Sequence, residues 1–231
     1  MSNAIELDDP DPMIAFSNRM RNRRFHHFEQ LTESMPRPLK IIDVGGTTDF
    51  WVRRGWGGRS DIQITTVNRD AESKRCQNIE PVVGDASNLS GFADQSFDIA
   101  FSNSVIEHLE IWENQAAMAC AVRRVGRAYY VQTPNYWFPM EPHFQILGWQ
   151  WMPLWFRVAI LRRRKCGFCA KTPDPAQARQ IITEVRLLSC RELLRLFPDA
   201  SIYVERYAGF VKSWTAFGGF GASESDGGSP D

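Results

Sequence analysis

The chain has 231 residues, 43% hydrophobic and 23% charged, a composition that fits a folded globular protein and excludes a low-complexity or collagen-like one. Its 27 basic and 27 acidic residues cancel, so no overall charge draws it to nucleic acid or to an anionic membrane. The length admits one α/β domain with an insertion, or two small domains.

Residues 1–10 are acidic and polar, do not read as a signal peptide, and are expected to be loose. Asp11-Pro12 caps and starts a helix whose apolar residues Met13, Phe16, Met20, Phe25, Phe28 and Leu31 lie opposite Arg19, Arg21, Arg23 and Arg24. Met35-Pro36-Arg37-Pro38 closes this N-terminal helical segment, residues 1–37. A first strand is predicted at 39–44, a short helix at 49–54, and a loop around Gly55, Gly57 and Gly58. Further strands follow at 62–67, 81–83 and 97–101, then a helix at 112–125 and a fifth strand at 127–132.

The alternation breaks over residues 134–184, rich in Pro, Trp and Arg, which are expected to form a cap inserted after the fifth strand. Ser189 and Glu192 have the capping-box spacing for a helix carrying Leu193, Leu194 and Leu196. Two last strands, 201–206 and 210–215, are joined by Tyr207-Ala208-Gly209 as a hairpin. The tail, residues 218–231, has little to bury and is expected to be disordered. These elements predict an α/β fold: a Rossmann-like, doubly wound, mostly parallel sheet over 38–217, with an antiparallel C-terminal hairpin strand and a helical cap.

Five cysteines fit no disulfide spacing, which points to reduced thiols in the cytoplasm. Cys166 and Cys169 form a CxxC without a second ligand pair, so no metal is expected.

The strand ends carry the chemistry, because open α/β sheets bind ligands outside the carboxyl ends of their strands. The first strand runs into Asp43-Val44-Gly45-Gly46-Thr47, an acid followed by glycines that let the backbone bend and approach a ligand. Asn68 ends the second strand and can hydrogen-bond ribose hydroxyls; Asp85-Ala86 follow the third, where an acid can accept from an adenine amine. Ser102-Asn103-Ser104 follow the fourth. A nicotinamide dinucleotide is disfavoured, since the loop lacks the second and third glycines of G-x-G-x-x-G and puts Asp49 where a diphosphate would sit.

This order of segments resembles the class I S-adenosylmethionine-dependent methyltransferases, and within them the type 11 group. The resemblance rests on residues 41–46, on Val83-Gly84-Asp85-Ala86, and above all on the run from Ser96 to Leu109, which ends in Val105-Ile106-Glu107-His108-Leu109. It covers residues 38–135 well and the insertion hardly at all. It implies S-adenosylmethionine as cofactor, held by Asp43, Val44, Gly45, Gly46, Thr47, Asn68, Asp85, Ala86, Ser102 and Asn103. Two departures stand out: Thr47 and Asp49 occupy positions of the family's later glycines, and Asn68 replaces the usual acid. Glu107 and His108 are expected to be mainly structural.

In that family the loop after the fifth strand meets the methyl acceptor. Here it supplies His143 as candidate base, then Glu141, beside Tyr136, Trp137 and Phe138. Residues 149–165 join Trp and Phe to the basic run Arg162–Arg163–Arg164–Lys165, too polar to span a bilayer but suited to a peripheral membrane contact. The expectation is methyl transfer to a small-molecule acceptor, hydrophobic or lipid-linked in one version. The alternative is a methyltransferase-like binding module without turnover. Nucleic acid is not expected as partner.

Overall fold

The computed structural model describes residues 12–72 and 74–221, with side chains from Met20 onward. Residues 36–220 form one compact unit, and helix α1 (Pro12–Thr32) belongs to another. The helix start expected at Pro12 is observed, whereas the side chains of Met13, Phe16 and Arg19 lie outside the described ones.

The larger unit is built on seven strands in the order β3-β2-β1-β4-β5-β7-β6. They are β1 (Leu39–Val44), β2 (Ile62–Asn68), β3 (Ile79–Val83), β4 (Phe97–Asn103), β5 (Gly126–Pro134), β6 (Ser201–Tyr207) and β7 (Phe210–Gly218). The first five pair in parallel, and β7 is antiparallel to both β5 and β6. The hairpin turn places both Ala208 and Gly209 at positive φ, the backbone that matches the twist of the flanking strands.

Strand β1 is buried along nearly its whole length because both sheet faces are covered. On one face Ile42, Val44, Ala100 and Val131 pack against helices α3 (Trp112–Val125) and α6 (Cys190–Leu196) through Met118, Val122, Leu193 and Phe197. On the other, the short helix α2 (Thr48–Val52) drives Trp51 against Phe101, with ring centroids 5.1 Å apart. Burying such side chains contributes about 2–3 kcal/mol each. The predicted capping box is present, with Ser189 and Glu192 reciprocally bonded at the start of α6.

Several boundaries shift. β3 begins earlier than predicted, at Ile79, and tolerates Pro81 because it is an edge strand. β4 and β5 each extend by two residues at their C-terminal ends, since their pairing continues from Phe101 to Asn103 and from β5 onto β7. β7 reaches Gly218, so the first residue of the tail expected to be disordered belongs to the sheet; residues 222–231 lie outside those described.

The insertion holds two helices, α4 (Leu154–Leu161) and α5 (Pro175–Thr183), and a 3-10 turn, Trp149–Trp151. They close around their own small core of Phe144, Trp149, Leu161, Cys166, Ala178 and Ile182.

Candidate functional site

The carboxyl ends of β1, β2, β3 and β4 line up as neighbours, so Asp43, Asn68, Asp85 and Asn103 share one rim of the sheet. The glycine loop is shaped chiefly by this chain's own packing. Gly45 has φ +80°, and a Cβ there would meet Val105 at 2.5 Å; a Cβ at Gly46 would overlap the Asp43 carboxylate. The glycines therefore let the loop close over Asp43 and under the β4 loop, rather than simply leaving room for a ligand.

Asp43 alternates with Ile42 and Val44 along β1 and so points to the α2 face, fully buried. Its Oδ2 accepts from Trp51 Nε1 at 2.7 Å, while Oδ1 is buried with no hydrogen-bond partner. Burial raises its pKa to about 7, against the lowering effects of the Trp51 bond and Arg54. Trp51 was not singled out in the sequence, where an apolar indole in a short helix carries no signal of a partner. Thr47 caps α2, its hydroxyl accepting from Phe50 N–H, and Thr48 N–H donates to Glu72.

Asn68 sits in register with Val83 across β2 and β3. Its amide Nδ2 reaches Gly46 O at 3.5 Å, so the same side chain touches the glycine loop. Val83 is 62% exposed at the end of the edge strand, an apolar surface beside the rim. Asp85 accepts from the Ser87 hydroxyl and N–H, which hold its carboxyl below the ordinary range and keep it ionised. Ala86 packs against the core, and Val44 is buried, so each offers only its main chain. Ser102 does not face the rim: β4 continues past it, and its buried hydroxyl donates to Val44 O at 2.9 Å.

A second group of side chains stands where β4 and β5 end. Glu141 is buried and accepts from His143 N–H at 2.8 Å and Phe144 N–H at 2.6 Å. Its Oε1 lies 2.7 Å from His143 Nδ1, which leaves Nε2 as the nitrogen for another partner. Burial alone would lower the His143 pKa, but the bond and charge of Glu141, with Glu107 beyond, hold it above the ordinary histidine value. His108 meets His143 edge-on at 4.9 Å between centroids, and desolvation, then the His143 charge, lower its pKa. Glu107 is buried; its Oε2 accepts from Thr133 Oγ1 at 3.0 Å and its carbonyl from Arg186 N–H at 2.7 Å. Glu107 thus does tie the β4 loop to the end of the insertion, while His108 turns toward His143.

The two groups are connected by a short stretch of chain: Val105 packs on Gly45, and its carbonyl accepts from His108 N–H at 2.8 Å. Glu107, His108 and His143 also bring one ligating atom each within 4.8 Å of the others, a three-ligand arrangement that spacing in the sequence did not reveal. The CxxC closes as a backbone turn in which Cys166 and Cys169 exchange main-chain hydrogen bonds, and both thiols are free.

Residues 45–128, from the glycine loop through β5's first residues, match the family described as methyltransferase domain. Over this segment the chain is similar to that family. Two Mycobacterium tuberculosis proteins, MT1557 and Rv1509, are each 39% identical to the chain over 54 residues, 23% of this chain and 18% of theirs. The match thus spans less than a fifth of those relatives' length. A possible exported protein from Bordetella parapertussis has a similar fold, with TM-score 0.52 and 11% identity over 85% of this chain and 67% of its own. A Burkholderia thailandensis 1,6-didemethyltoxoflavin-N1-methyltransferase, solved with S-adenosylhomocysteine, gives TM-score 0.49 and 14% identity over 86% of this chain and 76% of its own.

Proposed function

We propose that the chain transfers the methyl group of S-adenosylmethionine to a small-molecule acceptor. The cofactor reading is supported by the fit of the rim to that molecule's parts. Asp43 Oδ1 is a buried acceptor lacking a hydrogen-bond partner next to the glycine loop, where a cationic ligand would restore its charge balance. Asn68 offers both donor and acceptor for ribose hydroxyls, ionised Asp85 an acceptor for the adenine amine, and Val83 an apolar surface for the ring. When bound, the cofactor supplies an electrophilic methyl group; the chain's task is to align the acceptor and take its proton.

The observation that carries the acceptor half is the pairing of His143 with Glu141. A buried carboxylate on Nδ1 favours the tautomer that leaves Nε2 as acceptor, the arrangement of an oriented general base. The proton of an acceptor hydroxyl or amine passes to His143 Nε2, and Glu141 stabilises the imidazolium that forms. A second reading comes from the three ligating atoms of Glu107, His108 and His143: a divalent cation there would acidify the acceptor in place of a base. A binding module without turnover would need neither arrangement.

The first test is calorimetric titration with S-adenosylmethionine and S-adenosylhomocysteine. Micromolar binding is expected, weakened about tenfold or more by Asp85→Ala. Folded wild-type protein that binds neither compound would rule out the enzyme reading.

The insertion supports a hydrophobic or lipid-linked acceptor reached at a membrane surface by a cytoplasmic protein. Trp155 is 72% exposed, Trp151 47% and Phe156 42%, and Arg162, Arg163, Arg164 and Lys165 all reach solvent next to them. No described helix is long and apolar enough to cross a membrane. Aromatic rings at headgroup depth with cations toward anionic lipid would give a surface contact. The protein is expected to sediment with phosphatidylserine-containing vesicles and not with neutral ones, and the Trp155→Ala/Phe156→Ala pair to lose most of that binding. Equal recovery with both vesicle types, or no loss in the double variant, would exclude the contact.

A further inference from the structure

The insertion and α6 line a half-open cavity of about 390 Å³, within the size range of small-molecule sites. Its walls include Tyr136 and Trp137 after β5, Trp149 and Gln150 in the 3-10 turn, Arg157 on α4, and Arg186 before α6. Glu141 lines it too, so its contents lie one side chain from His143. Arg186 connects it to the β4 loop through its bond to Glu107 O.

Of the four charged residues on the cavity wall, Glu141, Glu192 and Arg186 have direct side-chain partners. Glu141 is engaged by His143 and two backbone N–H groups. Glu192 is engaged by Arg186 and Ser189, and Arg186 also donates to Gln115. The half-buried Arg157 side chain makes no hydrogen bond or ion pair with the described residues; burial pulls its pKa down, against the opposing effects of Tyr136 and the Glu141 charge. Gln150 spends its amide N–H groups on Tyr136 O and Phe138 O, at 2.9 and 2.7 Å, leaving Oε1 buried and without a hydrogen bond. The Trp149 indole N–H is in the same condition. The half-buried Arg157 guanidinium therefore borders an aromatic-walled space without a direct partner there.

We propose that this cavity is the acceptor pocket and that it takes a flat ring bearing an anionic group, a carboxylate or phosphate, which pairs with Arg157. This rests on the methyl-transfer reading for the word acceptor, though not for the binding itself. The aromatic walls take the ring, and the guanidinium takes the anion in a forked contact. The pocket then selects against neutral molecules of the same shape, because they forgo the charge-assisted contact with Arg157.

The test uses the full chain with 2-naphthoate, 2-naphthyl phosphate and the neutral 2-naphthamide in calorimetric titrations, each repeated with S-adenosylhomocysteine present. At least one anion is expected to bind about ten- to a hundredfold more tightly than the amide. The ratio of carboxylate to phosphate names the anion. Arg157→Gln is expected to abolish that preference, and Arg157→Lys to retain part of it, with S-adenosylhomocysteine affinity and melting temperature unchanged in both. Equal binding of anion and amide, absence of all three, or an anion preference that survives Arg157→Gln in a folded variant would overturn the proposal. Naphthoate binding without S-adenosylhomocysteine binding would leave the pocket standing and remove the methyl-transfer reading.

Discussion

Asp43→Asn is expected to make the protein more stable and a poorer cofactor binder. A buried carboxyl with a pKa of about 7 is held neutral below that pH and is ionised at a cost above it. Its folded pKa lies above its unfolded one, so the fold binds the extra proton. The stability it contributes is present at pH 4 and is lost as pH rises to about 7. Asparagine keeps an oxygen for Trp51 Nε1 and carries no charge, so its advantage should grow across that window and then level off. On the order of 2–4 kcal/mol at pH 8 is expected, read from urea unfolding at pH 4.5 and pH 8. S-adenosylmethionine affinity should fall about tenfold or more, because the charge that answers a cationic ligand is gone. A variant no more stable than wild type at pH 8 would mean that the carboxylate is already compensated within the chain.

His143→Ala is expected to lower kcat by about 100- to 10,000-fold while leaving S-adenosylhomocysteine affinity near wild type. The pH profile separates roles. A base must be unprotonated, so the rate should rise with pH through a value above the ordinary histidine pKa, as the Glu141 charge requires. Glu141→Gln removes that charge and the fixed tautomer; the rise should move to lower pH and the plateau should drop. Cation chemistry at Glu107, His108 and His143 predicts something different: loss of activity on dialysis against EDTA, recovery with Mn²⁺ or Mg²⁺, and comparable damage from Glu107→Gln. Full activity after EDTA treatment would leave the base as the working assignment, whereas a flat pH profile would remove it.

The segments legible in the sequence are those where one rule acts alone. β1 reads as apolar residues closed by Asp43 and glycine, and α3 runs from Trp112 to Val125 as its periodicity predicts. Helix α5 carried a start signal, Asp174 before Pro175, of the same kind as Asp11-Pro12, but the cysteines, lysine and prolines before it masked the pattern. His143 and Glu141 could be picked out as titratable neighbours in the loop after β5. Their contact with His108 could not, because it depends on how the insertion folds back onto the β4 loop. The cavity was invisible for the same reason: Tyr136, Gln150, Arg157 and Arg186 are brought together by tertiary packing alone. The role of Gly46 was half legible. The need for glycine showed, while its cause, the Asp43 carboxylate folded under the loop, did not.

Among the described residues, no helix lies between β2 and β3 or between β3 and β4; both crossovers are irregular chain. The edge strand that ends at Val83 is therefore anchored mainly by its ladder to β2. Such an edge opens at lower free energy than the middle of the sheet, so its amides should exchange with solvent first. A nucleoside seated between Asn68, Val83 and Asp85 would add the cross-links that helices supply elsewhere. Part of its binding energy would then be spent on ordering that edge, and occupancy would be legible as slowed exchange in β3 well away from the reacting methyl group.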